Sequence, residues 1–335
     1  MRPRLVASAC LALLLAGCGG AAKDPAAPGE PSSPRAQREI AAASTPRASD
    51  FPSPDGRSLQ DIADVAGATG PEIGLATSTF IPGANRLAFG LVSRRSEFVY
   101  GATAVYVARD PARSRARGPY LAPTDLLVTK PAFRSQTAAT EDSAFAAVYS
   151  ARVRFDAPGT WSVLTLTRVG GRLLAAGVDV KVIPRSQDRI PQPGERAPRI
   201  HTDTLASSGG NKAAIDTRRP FDDMHRVDLA DAVGRKPIAL LFATPALCQS
   251  RICGPVTDIA AQLESKYRDR MTFIHQEVYR DNDPNKGLRR PLQTFALMTE
   301  PWLFTIDATG RIAARLEGSF GFRDFEAAIR AALDR

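Results

Sequence analysis

Hydrophobic and polar positions fall into five textures along the chain. Leu5 to Ala16 is a continuous apolar run, too short to span a bilayer. Residues 19–68 are rich in Ala, Pro, Ser and Gly and nearly free of aromatics, which predicts a disordered tether of roughly 40 Å root-mean-square span. Within it, Leu59 to Ala66 reads as one or two helical turns. From 69 to 184 the pattern is strand and turn: 86–92, 100–107, 144–155, 161–167 and 177–183 are β-branched or aromatic runs, broken at Pro82-Gly83, Pro158-Gly159 and Gly170-Gly171. Short strands with no helices between them predict an all-β sandwich. Residues 185–200, with Pro184, Pro191, Pro193 and Pro198 in and beside them, read as an extended linker.

Residues 201–335 alternate in period. Ile238 to Thr244 is apolar throughout, as a central strand covered on both faces requires. Val256, Ile259, Ala260, Leu263 and Tyr267 fall at helical spacing. Met271 to Val278 predicts a second strand, and Leu288 to Leu297 a helix with Pro291 in its first turn. Trp302 to Ile306 and Arg311 to Leu316 predict a hairpin turning at Asp307-Ala-Thr-Gly310, and Phe322, Phe325, Ile329 and Leu333 stripe a closing helix. The order is β-α-β-α-β-β-α.

Two resemblances follow. Asp156-Ala-Pro-Gly-Thr-Trp161, with the strands after it, resembles the closing hairpins of bacterial immunoglobulin-like modules, where Trp161 would be a core anchor. The C-terminal order resembles the thioredoxin core, an α/β fold. There, Cys253-Gly-Pro255 stands where thioredoxins carry Cys-Gly-Pro-Cys, and Glu300-Pro301 stands where the family has a cis-proline facing the cysteine. The chain departs from the family at Val256, which occupies the place of the second cysteine.

The leader changes the cysteine arithmetic. Arg2 and Arg4 precede the apolar run, and Leu15-Ala16-Gly17-Cys18 resembles the lipobox of bacterial lipoproteins. That resemblance implies a signal peptide over 1–17, lipid on Cys18, and a chain held at the extracytoplasmic face of the cell membrane. Cys10 then leaves with the leader and Cys18 is lipidated, so Cys248 and Cys253 remain as a pair in a disulfide-permissive compartment. Five residues apart on one helix their Cα atoms would lie roughly 8 to 9 Å apart, beyond bridging distance. A Cys248–Cys253 disulfide therefore requires Cys248 in the loop before the helix, which Thr244-Pro245 favours.

These residues point to a membrane-anchored thiol–disulfide oxidoreductase. A cysteine at a helix N-terminus is favoured as thiolate, which casts Cys253 as the attacking thiol and Cys248 as the resolving one. The thioredoxin resemblance implies that Pro301 presents the substrate edge. Arg251 reads as a solvated loop arginine, and Glu300 as a carboxylate that raises a neighbouring thiol pKa. The competing reading makes the pair a permanent staple on a binding domain. A Sco-type copper chaperone would need a histidine beside the cysteines; His201, His225 and His275 read instead as satisfied core or surface residues. A peroxidase would use Ser250 before Cys253, but Pro245 is out of register. The formal charge of +9, two units of it on Arg2 and Arg4, is spread along the chain, so no nucleic-acid partner is expected. Nor is a cofactor or metal: Asp281 to Asn285 reads as a turn. The partners implied are the membrane through the lipid, and exported protein thiols or a membrane electron donor.

Overall fold

A computed structural model describes residues 27–29, 33–139 and 146–334. The leader and Cys18 lie outside the described residues. Helices α1 (Pro34–Ala43) and α2 (Leu59–Ala66) open the described chain. The Ser33 hydroxyl accepts a bond from the N–H of Ala36. Ser58 and Asp61 form a reciprocal capping box, and Gly67 at φ +62 ends α2 in the left-handed region. The tether expected over 19–68 is thus corrected for its described part. Average composition hid two short stripes, Ile40 on α1 and Leu59 and Ile62 on α2, all buried. The two α2 residues join a core with Tyr106 and Leu166.

Eight strands follow: β1 (Glu72–Leu75), β2 (Gly83–Val92), β3 (Ala102–Ala108), β4 (Arg117–Leu121), β5 (Thr124–Leu126), β6 (Ala147–Phe155), β7 (Gly159–Val169) and β8 (Arg172–Val182). They form two antiparallel sheets, ordered β1-β2-β6-β5 and β4-β3-β7-β8. Leu87, Phe89 and Leu91 alternate inward from β2, as period-2 patterning demands, against Val105, Val107 and Val163 of the facing sheet. The β7–β8 hairpin turns at Gly170 and Gly171, both at positive φ. Trp161 is buried in this core, and its indole N–H donates to the Ala157 carbonyl at 2.9 Å.

The C-terminal region runs α3 (Leu229–Ala232), β9 (Ile238–Phe242), α4 (Cys253–Tyr267), β10 (Thr272–Gln276), α5 (Arg290–Thr294), β11 (Trp302–Ile306), β12 (Ile312–Glu317) and α6 (Phe322–Leu333). Its sheet order is β10-β9-β11-β12, with only β10 and β9 parallel. This agrees with the thioredoxin-like expectation. Every residue of β9 is buried because both sheet faces are covered. Ala239 and Leu241 pack towards α4 and α6, and Ile238, Leu240 and Phe242 towards Leu229, Leu292 and Phe295.

Polar contacts fuse the two regions. Asp125 of β5 accepts the N–H groups of Gly321, Arg323 and Asp324 at 2.8–3.0 Å, so a sandwich carboxylate caps the N-terminus of α6. Arg86 of β2 pairs with Asp324 at 2.5 Å. Glu317 of β12 accepts from Ser78 and from the N–H of Thr79. Segment 185–200, expected as an extended linker, is instead fastened along β12. Gly194 and Ala197 donate to Ile312 and Gly310, Ile312 donates to Glu195, and Asp188 pairs with Arg315. Its prolines keep it extended; pairing and the burial of Ile190 fix it in place. Among the described residues, no helix is long and apolar enough to cross a membrane.

Candidate active site

Beyond β9 the chain makes a turn in which the Thr244 carbonyl accepts the N–H groups of Leu247 and Cys248. Cys248 therefore lies in a loop ahead of α4, the placement that its bonding to Cys253 requires. Arg251, exposed and at φ +58, reverses the chain so that Ile252 becomes the N-cap and Cys253 the first residue of α4. Ile252 has no side-chain acceptor for the open N–H groups of this helix. The sulfur of Cys248 lies at this end, where the backbone of Ile252 and Cys253 favours its thiolate.

Both cysteines are thiols in this structure. Their sulfurs and a carboxylate oxygen of Glu300 lie within 4.8 Å of one another. The Cys253 thiol donates to Cys248, and the Ser250 hydroxyl lies 3.2 Å from the Cys248 sulfur. The bond from Cys253 is the largest influence on Cys248. With Ser250 and the two backbone donors, it outweighs burial and lowers the Cys248 pKa to about 6. Burial raises Cys253 well above the ordinary thiol value, and the neighbouring Cys248 and Glu300 push it the same way. The order of the two thiol pKa values is thus opposite to the one expected from helix position alone. In this chain Cys253, the first residue of α4, is buried in the core, and Cys248 in the loop facing the helix end gains the stabilisation. Cys253 is wholly buried, whereas Cys248 is 8% exposed.

Glu300 precedes Pro301 across a cis peptide bond, in the loop before β11. Burial, then the charge of Cys248, raises its carboxyl to about 8. Tyr279 donates to one of its oxygens at 3.4 Å, and the other oxygen is buried without a partner. Pro301 is buried, and its carbonyl accepts the N–H of Gly318. A cleft of about 380 Å³ opens beside the site, lined by Ala76, Ser78 and Phe80 from the sandwich and by Ser250, Ile252 and Glu300 from the sulfur side. At the helix mouth, a Cβ on Gly254 would stand 2.3 Å from the Thr137 hydroxyl, so glycine there admits the sandwich loop.

None of the three histidines joins the sulfurs; among the described residues, the third donor gathered with them is Glu300. The Cys-Cys-His set of a copper chaperone is therefore not assembled. His201 is exposed and bonded to Asp228, and His275 is buried between Asp222 and the Ala243 carbonyl. Sequence reasoning passed over Tyr279, which no local motif marks.

No protein-family model matches the chain, and no curated protein matches it. Among solved structures, a protein from Chlorobium tepidum assigned as a thiol:disulfide interchange protein, DsbE, is 18% identical. The match covers 43% of this chain and 99% of that one, with a TM-score of 0.29. The PKD domain of the human VPS10 domain-containing receptor SorCS2 is 12% identical over 36% of this chain and 79% of that one, with a TM-score of 0.18.

Proposed function

We propose that this chain is a thiol–disulfide oxidoreductase with Cys248 as nucleophile and Cys253 as resolving thiol, tethered to the extracytoplasmic face of a membrane by lipid on Cys18. The observation that carries the chemistry is the gathering of two thiols and the Glu300 carboxyl within 4.8 Å at the N-terminus of α4, where the helix end favours the Cys248 thiolate. With a pKa of about 6, Cys248 is about nine-tenths thiolate at neutral pH. It attacks one sulfur of a substrate disulfide, the S–S bond breaks, and the departing substrate thiolate takes up a proton.

The resulting mixed disulfide removes the negative charge of Cys248. The same charge had raised both Glu300 and Cys253. Glu300 then ionises and accepts the Cys253 proton, and the Cys253 thiolate attacks the Cys248 sulfur. The second substrate sulfur leaves as a thiol after protonation. The balance is two protein thiols and a substrate disulfide converted to a Cys248–Cys253 disulfide and a substrate dithiol; the reverse direction oxidises. Exported protein thiols or a membrane electron donor are the fitting partners.

Trapping tests the assignment. Cys253→Ala should accumulate mixed disulfides through Cys248, identified by non-reducing electrophoresis and mass spectrometry, and Cys248→Ser should not. Absence of adducts in both variants, with a reduction potential below about −300 mV, would sink the exchange reading in favour of a permanent staple.

A further inference from the structure

A second cluster of ionisable groups lies behind the cysteine loop. One short segment supplies Asp216, Asp222 and His225, and β10 supplies His275. All four are buried, none more than 6% exposed, and one donor atom from each lies within 4.8 Å of the others. His225 Nε2 is 3.5 Å from Asp222 Oδ1 and 3.8 Å from Asp216 Oδ2, and its ring centroid is 4.9 Å from that of His275. Among the described residues, neither ring nitrogen of His225 has a hydrogen-bond partner of good geometry, the Asp203 backbone being its polar neighbour. Buried polar atoms left so are costly, and a histidine aimed between two carboxylates needs a reason to be there. Among the described residues, no lysine or arginine side chain forms an ion pair with Asp216 or Asp222; Arg218, next in the chain, turns to Asp258.

We propose that Asp216, Asp222, His225 and His275 form a binding site for one divalent first-row transition ion of the zinc type. Once the ion displaces the proton that Asp222 holds on His275, two carboxylates and two imidazoles cancel its charge, and the set lacks the sulfur that would select Cu(I). Tetrahedral zinc with bonds of about 2.0–2.2 Å places its donors roughly 3.4 Å apart, close to the His225–carboxylate separations. The surroundings are those of a held ligand set. His275 Nε2 faces the Ala243 carbonyl at 3.1 Å, and its Nδ1 is turned to the cluster, where it pairs with Asp222 Oδ2 at 2.8 Å; a bound ion would take the place of that proton. Asp216 accepts the N–H groups of Arg218 and Asp222, and Asp222 that of Met224.

Four protein donors with no exposed position define a structural site filled as the chain folds. Its ion would tie segment 216–225 to β10 and, through Ala243, to the root of the cysteine loop, where Ala246 donates to the Thr217 hydroxyl.

The test uses the full chain unfolded in urea and refolded with Zn²⁺ or Co²⁺, then desalted. One equivalent of zinc per chain is expected, in wild type and in Cys248→Ser/Cys253→Ser alike. The Co²⁺ form should show visible d–d bands without a thiolate charge-transfer band. His225→Ala and Asp222→Asn should each weaken binding on the order of 100-fold. Zinc-edge X-ray absorption of the wild type, which needs no variant to fold, should show nitrogen and oxygen neighbours alone. Sulfur neighbours, uptake lost only in the cysteine variant, or no stoichiometric uptake after refolding would overturn the proposal.

Discussion

The hydrogen bond from the Cys253 thiol is the first influence lowering Cys248, and Cys253→Ala removes it. A hydrogen bond to a charged group contributes about 1.5–3 kcal/mol, and one pKa unit corresponds to about 1.36 kcal/mol. Cys248 should therefore rise from about 6 by about one to two units. It should stay below the ordinary 9.0, because Ser250 and the N–H groups of Ile252 and residue 253 still donate. Cys253→Ser keeps an O–H donor at the same place and should leave the value near 6. The assay is the pH dependence of iodoacetamide alkylation at Cys248, followed peptide by peptide in a mass spectrometer. As pH falls through the Cys248 pKa the thiolate is lost and the rate drops, so each midpoint reads that pKa directly. Equal midpoints in the Ala and Ser variants, or a wild-type midpoint near 9, would refute the placement of Cys248 on the helix end.

Two other perturbations probe separate parts of the molecule. Glu300→Gln removes the proposed acceptor of the Cys253 proton, so resolution of a preformed mixed disulfide should slow on the order of 100-fold while Cys248 alkylation persists; quench-flow with non-reducing gels measures both, and unchanged resolution would remove Glu300 from the mechanism. Gly318→Ala forces a side chain into φ +71 and sets its Cβ against the Ala76 carbonyl oxygen, so the segment that follows β1 must shift. Urea denaturation should show a loss of about 2 kcal/mol or more, and a variant as stable as wild type would contradict the close contact between sandwich and sheet.

The strands and helices of the C-terminal region were legible because each obeys a simple period: β9 is apolar throughout, and the stripe of Phe322, Phe325 and Ile329 matches α6. The loop position of Cys248 followed from chain geometry alone. Which sulfur the helix end would favour did not, since that depends on where each side chain points once the backbone turns at Arg251. In 33–66 the turns of α2 were legible but α1 was hidden by averaging, and the packing of Ile40 and Ile62 was not legible because their partners lie far along the chain. The Asp216–His275 cluster and the capping of α6 by Asp125 are meetings of remote segments, and no local pattern announces them.

The fastening of segment 185–200 along β12 has a consequence for how a partner can be met. Asp125, Arg86 and Glu317 bolt one side and this strap the other, so among the described residues the two regions are joined at several separate points. The cleft lined by Ser250, Ile252 and Glu300 is then held from both sides. On the proposed exchange reading, it would favour a slack loop or a loose tail bearing an oxidised cysteine over a folded globule. Client choice would rest on how far the client's own backbone can be drawn out, so unfinished or unfastened proteins would be served ahead of mature ones.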